Sequence, residues 1–456
     1  MKKNHGRTHA FAMTIGITFI GGITMVKKLF STTLFIIVLA GCTSTSINKQ
    51  NIDRFVSGYV DTGFEEVKAE FEKNFYERGE NGAALCIYYK GKKVVDLWGG
   101  YRIKSEGELW EEDTCVNAWS ATKGLAAMTL AMLNSDGYLD YEEKVSTYWP
   151  EFAVNGKQDI TVRQLISHQA GLITLGKNIE VKDLKDFAYL EELLANSIPT
   201  WNPGDYHGYH SATMGNFMGV LVTKCDPKHR TLGQYFAEEI AKPLNLEFYI
   251  GLPESFPDDR LSEMIPINPL GALFNLDKMD SGLKQAFFDR NSLFNKSMYI
   301  ITDYDPTSRK TLEVEQPSGN GVGTARSIAL AYSVFAMGGM ELGIKKDTVD
   351  NFLSRSMPPK YGTLDKVLNV QTEYGLGISP FTINNGITIY GFYGAVSSFG
   401  FADPVNQIGF GYTPNKMDYC GGMNDPREVS IRTALYKCIR EIEETRDQEN
   451  QVVGDE

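Results

Sequence analysis

Histidine is scarce in this chain of 456 residues, which holds six, two of them within the first nine positions. Beyond the leader only His168, His207, His210 and His229 remain, so a Ser-His-Asp triad has little to draw on. The G-x-S-x-G pattern is missing, which leaves the strained elbow of the α/β-hydrolases without support. Cysteine is sparse too. The five that follow Cys42 (Cys86, Cys115, Cys225, Cys420 and Cys438) show neither C-x-x-C nor zinc spacing, and an odd number cannot pair completely. Buried single thiols are the expected state. Positive charge is in the minority, with 45 Lys and Arg against 57 Asp and Glu. Five of those cations lie in the first 41 residues, which carry no acid, so the body is more acidic than the net charge of -12 suggests. An acidic body without a basic cluster argues against a nucleic-acid partner. What remains is ordinary for a globular protein, with 42% hydrophobic and 22% charged residues and enough length for one large domain.

The N-terminus reads as a targeting segment. Lys27-Lys28 precede an apolar run from Leu29 to Leu39, which closes on Ala40-Gly41-Cys42. A run this short is a poor membrane span. Its ending resembles a bacterial lipobox, which implies cleavage before Cys42 and lipidation of that thiol. A plain signal peptide with a chance cysteine is the alternative. Met25 stands where a natural start would sit, leaving 1–24 as an N-terminal extension. The expected organisation is a signal segment over 1–41, a lipoprotein tether over 42–58, one domain over 59–446 and an acidic tail over 447–456. The expected location is the cell envelope of a bacterium, with a lipid anchor holding the exported protein to a membrane.

Within the domain, Phe64 to Tyr76 has helical periodicity, and Ala83 to Trp98 reads as a hairpin turning at Lys90-Gly91. Ser120 to Met132 is small, apolar and rich in helix formers, closed by Ser135-Asp136-Gly137. Residues 141–200 read as mostly helical with loops at Pro150 and around Gly171, Asn216 to Thr223 as a buried helix short enough to be a strand, and Thr324 to Met337 as a helix. The stretch 253–316 has no steady period and suggests a decorated loop region that covers something. Three strands follow within 386–412, then an amphipathic helix over 427–444. Strands at both ends with helices between predict an α+β fold: one antiparallel sheet built from both termini, flanking helices and an inserted, mainly helical region.

A nucleophilic serine needs a base for its proton and donors for the oxyanion. With histidine scarce, S-x-x-K is the available solution, because i and i+3 share a helix face. A lysine becomes a base once desolvation lowers its pKa from about 10.4. The pattern occurs at Ser46-Lys49, Ser120-Lys123 and Ser281-Lys284. Ser46 falls in the tether and Ser281 in the irregular stretch. Ser120 alone opens a helix of small apolar residues that could dry its lysine, although a serine there also suits an N-cap.

The segment Trp119-Ser-Ala-Thr-Lys-Gly-Leu-Ala-Ala127 resembles the nucleophile helix of family VIII carboxylesterases, relatives of class C β-lactamases. The likeness continues through Tyr148-Trp-Pro-Glu-Phe152, Leu165-Ile-Ser-His-Gln-Ala-Gly-Leu172, Trp201-Asn-Pro-Gly204, Gly208-Tyr-His-Ser211, Gly321-Val-Gly-Thr-Ala-Arg326 and Gly400-Phe-Ala-Asp-Pro404. It covers about residues 60–440 and implies a β-lactamase/transpeptidase-like fold. The resemblance makes Ser120 the nucleophile, Lys123 its partner and Tyr209 the general base, a phenolate favoured by the nearby ammonium. Ser211 falls where β-lactamases carry an asparagine, and its implied role is to orient Lys123. His207 and His210 read as loop structure rather than metal ligands, and His168 as a loop-fixing side chain. Where β-lactamases carry Lys-Thr-Gly, this chain, anchored on Phe399-Gly400, offers Phe392-Tyr393-Gly394. Ser211, Phe392, Tyr393 and Gly394 are then expected in the substrate pocket, and the N–H groups of Ser120 and Ala395 in the oxyanion hole. An aromatic in place of the cation favours a neutral acyl group. The implied activity is ester hydrolysis on a small-molecule ester or amide, with no metal or organic cofactor. A β-lactamase or D-amino-acid peptidase is the second reading, and an inert surface lipoprotein the third.

Overall fold

The computed structural model describes residues 47–268, 275–383, 386–420 and 424–454. The signal segment, Cys42 and the first tether residues lie outside them. Seven strands form the main path of one antiparallel sheet: β1 (Val56–Val60), β2 (Gly82–Tyr89), β3 (Lys92–Ile103), β4 (Ser379–Thr382), β5 (Thr388–Tyr393), β6 (Phe399–Asp403) and β7 (Ile408–Pro414). Their spatial order is β1-β3-β2-β7-β6-β5-β4, with the short strand Glu108–Leu109 paired to β3. The two chain ends meet at the β2–β7 seam, in register from Tyr89 opposite Ile408 to Ala83 opposite Pro414. Lys90 and Gly91 take φ of 50° and 75°, the left-handed pair that a two-residue hairpin turn demands.

The principal helices are α1 (Glu65–Tyr76), α2 (Thr122–Ser135), α3 (Met214–Cys225), α4 (Ser281–Phe288), α5 (Leu293–Met298), α6 (Ala325–Ala336) and α7 (Pro426–Gly454). Helices α1 and α7 cover one face of the sheet, packing Phe71, Phe75, Ile431 and Leu435 against Leu85, Leu97, Phe401 and Phe410. Side chains alternate along a strand, so the opposite face carries Gly400, Gly409 and Gly411. A Cβ at Gly409 would lie 2.3 Å from Ala329 O, and one at Gly411 would lie 2.3 Å from Ala325 O. These glycines let the backbone of α6 settle onto the sheet. Beyond α6 lies the second core, in which α2 is buried on nearly all sides and packs against α3. Among the described residues no helix is long and apolar enough to cross a membrane.

Three boundaries differ from expectation. The tether cannot extend to residue 58, because Val56 already pairs with Gly99 and Ile52 is buried. Residues 141–200 hold short α-helices (Val145–Tyr148, Val162–Ile166 and Phe187–Asn196) and two 3-10 turns, with the expected loop at Gly171 and further breaks where Asn155, Gly156 and Gly176 take positive φ. The buried Lys157 holds that irregular backbone by donating to the carbonyls of Val154, Ala195 and Ser197. Helix α7 runs on to Gly454, through most of the expected tail. The stretch 253–316 forms α4 and α5 as well as loops. All five described cysteines are free, and four are buried.

If backbone contact is what those glycines permit, Gly409→Val will force α6 off the sheet. The expected loss is about 3 kcal/mol, read as a lowered denaturant midpoint; unchanged stability would show that α6 does not need the close approach.

Candidate active site

Ser120 lies in a single 3-10 turn (Trp119–Ala121) that leads into α2. The residue before it, Trp119, has φ of 51°, a left-handed conformation that is strained for an aromatic residue. Its N–H donates to Asn117 Oδ1 at 2.8 Å, and Asn117 Nδ2 donates to Pro306 O. Ser398 Oγ and the Gly394 backbone close in behind: a Cβ at Gly394 would lie 2.4 Å from Ala118 O and 3.1 Å from Trp119 Cβ. The end of β5 and the start of α2 are thus in backbone contact, which brings Gly394-Ala395 beside Trp119-Ser120.

One turn beyond Ser120, at the start of α2, the Lys123 side chain is fully buried. Its Nζ donates to Ser211 O at 2.8 Å and Ser318 O at 2.6 Å, and lies 3.2 Å from Ser120 Oγ and 2.9 Å from Tyr209 Oη. Tyr209 Oη is 2.7 Å from Ser120 Oγ, closing a triangle. Burial holds the Lys123 amine well below its usual pKa and pushes the Tyr209 phenol up, despite its hydrogen bond to Ser120. Both directions oppose the ammonium–phenolate pair expected from the sequence. Burial thus disfavours the charged form of each group. A neutral amine has two N–H bonds, as many as the carbonyls that Lys123 donates to.

Phe392 faces this triangle. It pairs with Gly400 across β5–β6, as the anchoring on Phe399-Gly400 predicts. Its ring stacks on Tyr209 at 6.0 Å and lies 5.6 Å from Lys123 Nζ. Tyr393, expected in the pocket, belongs mainly to the other face of the strand. Its ring stacks on Phe399 at 3.6 Å and its hydroxyl donates to Glu428, although it also reaches the broad cavity that Ser120 lines. Period-two alternation allows only one of two adjacent residues to face the serine. Ser211 contributes its carbonyl to Lys123, while its hydroxyl is 2.9 Å from Ser297 Oγ on α5.

The histidines are structural. His168 Nδ1 accepts from the His210 N–H, His210 Nε2 accepts from the Leu172 N–H, and His210 Nδ1 donates to Gly208 O. Burial lowers the pKa of both, that of His210 to about 3. His207 Nε2 lies 3.1 Å from Thr363 O. Of the other two S-x-x-K matches, Ser46 lies outside the described residues. Ser281 is exposed at the start of α4.

Sequence reasoning missed two supports. Ser318 offers its carbonyl to Lys123, and its hydroxyl donates to Ala212 O. Buried Asp365 accepts from the N–H groups of Tyr209, Val367 and Leu368 and from the Tyr374 hydroxyl. Both act across more than 150 residues of chain, and neither sits in a motif, so no local signal marked them.

The β-lactamase family profile matches residues 52–429. Esterase/beta-lactamase LipL of Mycobacterium tuberculosis (strain ATCC 25618 / H37Rv) is 32% identical over 350 residues, 75% of this chain and 78% of that protein. A solved family VIII carboxylesterase matches at 32% identity with a TM-score of 0.74, over 84% of this chain and 99% of its own. A penicillin-binding protein homologue from Caulobacter crescentus matches at 29% identity with a TM-score of 0.70, over 84% and 99%. The likeness first read from scattered motifs therefore extends over most of the chain, which belongs to the β-lactamase family of serine hydrolases.

Proposed function

We propose that this hydrolase is a carboxylesterase that works through an acyl-enzyme on Ser120. The carrying observation is the closed triangle of Ser120 Oγ, Tyr209 Oη and a wholly buried Lys123 Nζ. As Ser120 attacks the ester carbonyl, its proton passes to Tyr209 Oη while the phenol proton passes to the Lys123 lone pair. Tyr209 then carries no lasting charge, which suits a phenol whose ionisation burial opposes. The N–H groups of Ser120 and Ala395 hold the developing oxyanion, a role supported by the backbone contact at Gly394. Protonated Lys123 returns its proton through Tyr209 to the leaving alcohol, and water releases the acid by the same path reversed.

The choice of esters over β-lactams rests on Phe392. A penicillin carboxylate needs a cation at that position, and this side chain offers an apolar face instead. The relatives' names keep β-lactam hydrolysis as the second reading, and a nitrocefin assay separates the two.

For location, we propose that the leader exports the protein and that a lipid on Cys42 ties it to a bacterial membrane. The support is the Leu39-Ala40-Gly41-Cys42 sequence.

Three tests follow from these roles. Ser120→Ala should abolish both ester turnover and labelling by a fluorophosphonate, and Tyr209→Phe should cut kcat by about 10²–10⁴. A wild-type protein that neither labels nor cleaves any ester would return the chain to the inert-lipoprotein reading. For Lys123, the unfolded chain holds the proton below pH 10.5 while the folded protein resists it. Stability attributable to this residue therefore rises with pH up to that value and is lost as pH falls. Relative to Lys123→Met, the wild type should lose up to about 1.4 kcal/mol per pH unit between pH 10 and 7; parallel stability curves would mean a charged amine. Finally, Cys42→Ser should move the protein from the membrane fraction to the soluble fraction in a bacterial host, an outcome that a plain signal peptide would not give.

A further inference from the structure

The aromatic residues of α4 and α5 take no part in the steps above. Phe287 is 43% exposed, Phe288 56%, Met298 37% and Tyr299 60%. The Phe287 ring lies 5.3 Å from Phe288 and 6.1 Å from Phe294, so these residues form a contiguous apolar surface. Single exposed apolar residues need no explanation, but a cluster of this kind marks a binding surface. Its position says what it binds. Phe287, Phe288, Phe294 and Met298 line the same cavity as Ser120 and Tyr209, a space of about 2440 Å³. That is well above the roughly 300–1,000 Å³ of an ordinary small-molecule pocket. The basic residues described around this cavity are Arg432, Lys437 and Arg440, all on α7, whereas the charged lining residue on the approach to α4 is Asp280. The α4–α5 side therefore suits an uncharged, apolar group.

The helix pair is also seated on the catalytic scaffold. Ser297 of α5 bonds Ser211, whose carbonyl holds Lys123. Gly282 of α4 sits against Asn369, where a Cβ would meet the carbonyl oxygen at 1.9 Å. The Asn369 N–H donates to Asp365 O, in the turn that supports Tyr209. The apolar surface thus sits on the turn and the helix that hold Tyr209 and Lys123, beside the acylation site.

We infer that α4 and α5 form the binding site for the hydrocarbon chain of a lipophilic ester, so that the preferred substrates carry a long apolar chain. This rests on Ser120 being the nucleophile. The chain can belong to the acid or to the alcohol, and the chemistry of recognition is the same. Burying successive methylenes predicts that kcat/KM rises up to about fourfold per added carbon until the surface is covered.

The test measures kcat/KM for p-nitrophenyl esters from acetate to decanoate, and for ethyl and decyl acetate, with monomeric substrates. The wild type should favour the long chain in one series, which assigns it to the acid or the alcohol side. The double variant Phe287→Ser/Phe288→Ser should lower the long-to-short ratio at least tenfold, mainly through KM. Phe288→Ser alone, at the more exposed position, should lower it by a smaller factor and serves should the double variant fail to fold. A wild type that cleaves the acetates but gives flat series overturns the inference and leaves the Ser120 reading intact. Failure on every ester removes the Ser120 reading itself. Unchanged ratios with lost binding to phosphatidylcholine vesicles would assign the aromatic surface to a membrane instead, and would also overturn the inference.

Discussion

The proposed chemistry depends on keeping the Lys123 amine dry. Among the described residues its hydrogen-bond partners are two carbonyls and two hydroxyls, with no carboxylate to stabilise an ammonium. Desolvation is the cause of its lowered pKa. The protein must therefore exclude water around an amine while still satisfying its N–H bonds, since an unbonded polar group in the core is costly. Backbone carbonyls answer both needs, because they accept hydrogen bonds without adding net charge. Ser211 precedes α3 and Ser318 comes from the loop before α6, so distant parts of the chain must fold together before the lysine becomes a base.

The same economy governs Ser120. Strain at Trp119 costs of order 1–3 kcal/mol and persists only when the surroundings over-determine it. Those surroundings are specific: Asn117 holds the Trp119 N–H, Ser398 donates to the Ala118 carbonyl, and Gly394 leaves no room for a side chain against that backbone. The sheet supplies the rigidity. Its face is smoothed by Gly400, Gly409 and Gly411 so that α6 lies close, and its last inner strands carry Phe392 and Gly394 to the serine. Without the seam between β2 and β7, neither chain end could position the other's part of the site.

Much of this was legible in the sequence. Strands β2, β3, β5, β6 and β7 were legible from alternation and turn residues, whereas β1 fell in the expected tether and β4 had no expected counterpart. Ser120, Lys123 and Tyr209 were picked out by spacing, helix context and motif likeness, and the structure brings them together. Elements defined by tertiary contact were harder to read. Residues 141–200 have apolar content enough for helices, but Lys157 and the positive-φ positions hold them as loops, and neither influence is periodic. Asp365 and Ser318 lack any local signature, because the bonds that tie them to the site reach remote partners. Tyr393 lines the cavity as the motif expects, but the pleat turns its ring mainly onto Phe399 rather than towards the serine. Burial opposes the phenolate expected of Tyr209, since a motif names neighbours but not the depth at which they are buried.

Phe392 joins the base to the specificity. A cation at that position would lower the amine pKa by repulsion and hold a substrate carboxylate as well. The aromatic ring instead stacks on Tyr209 and lies near the buried amine, whose pKa burial lowers. An apolar surface in place of a charge changes what the pocket can recognise. In the wider cavity the same character continues onto α4 and α5, where the lining is aromatic and aliphatic. In the proposed mechanism, desolvation of the base and selection of an uncharged substrate are then one property of this site, because both follow from an apolar lining around Ser120.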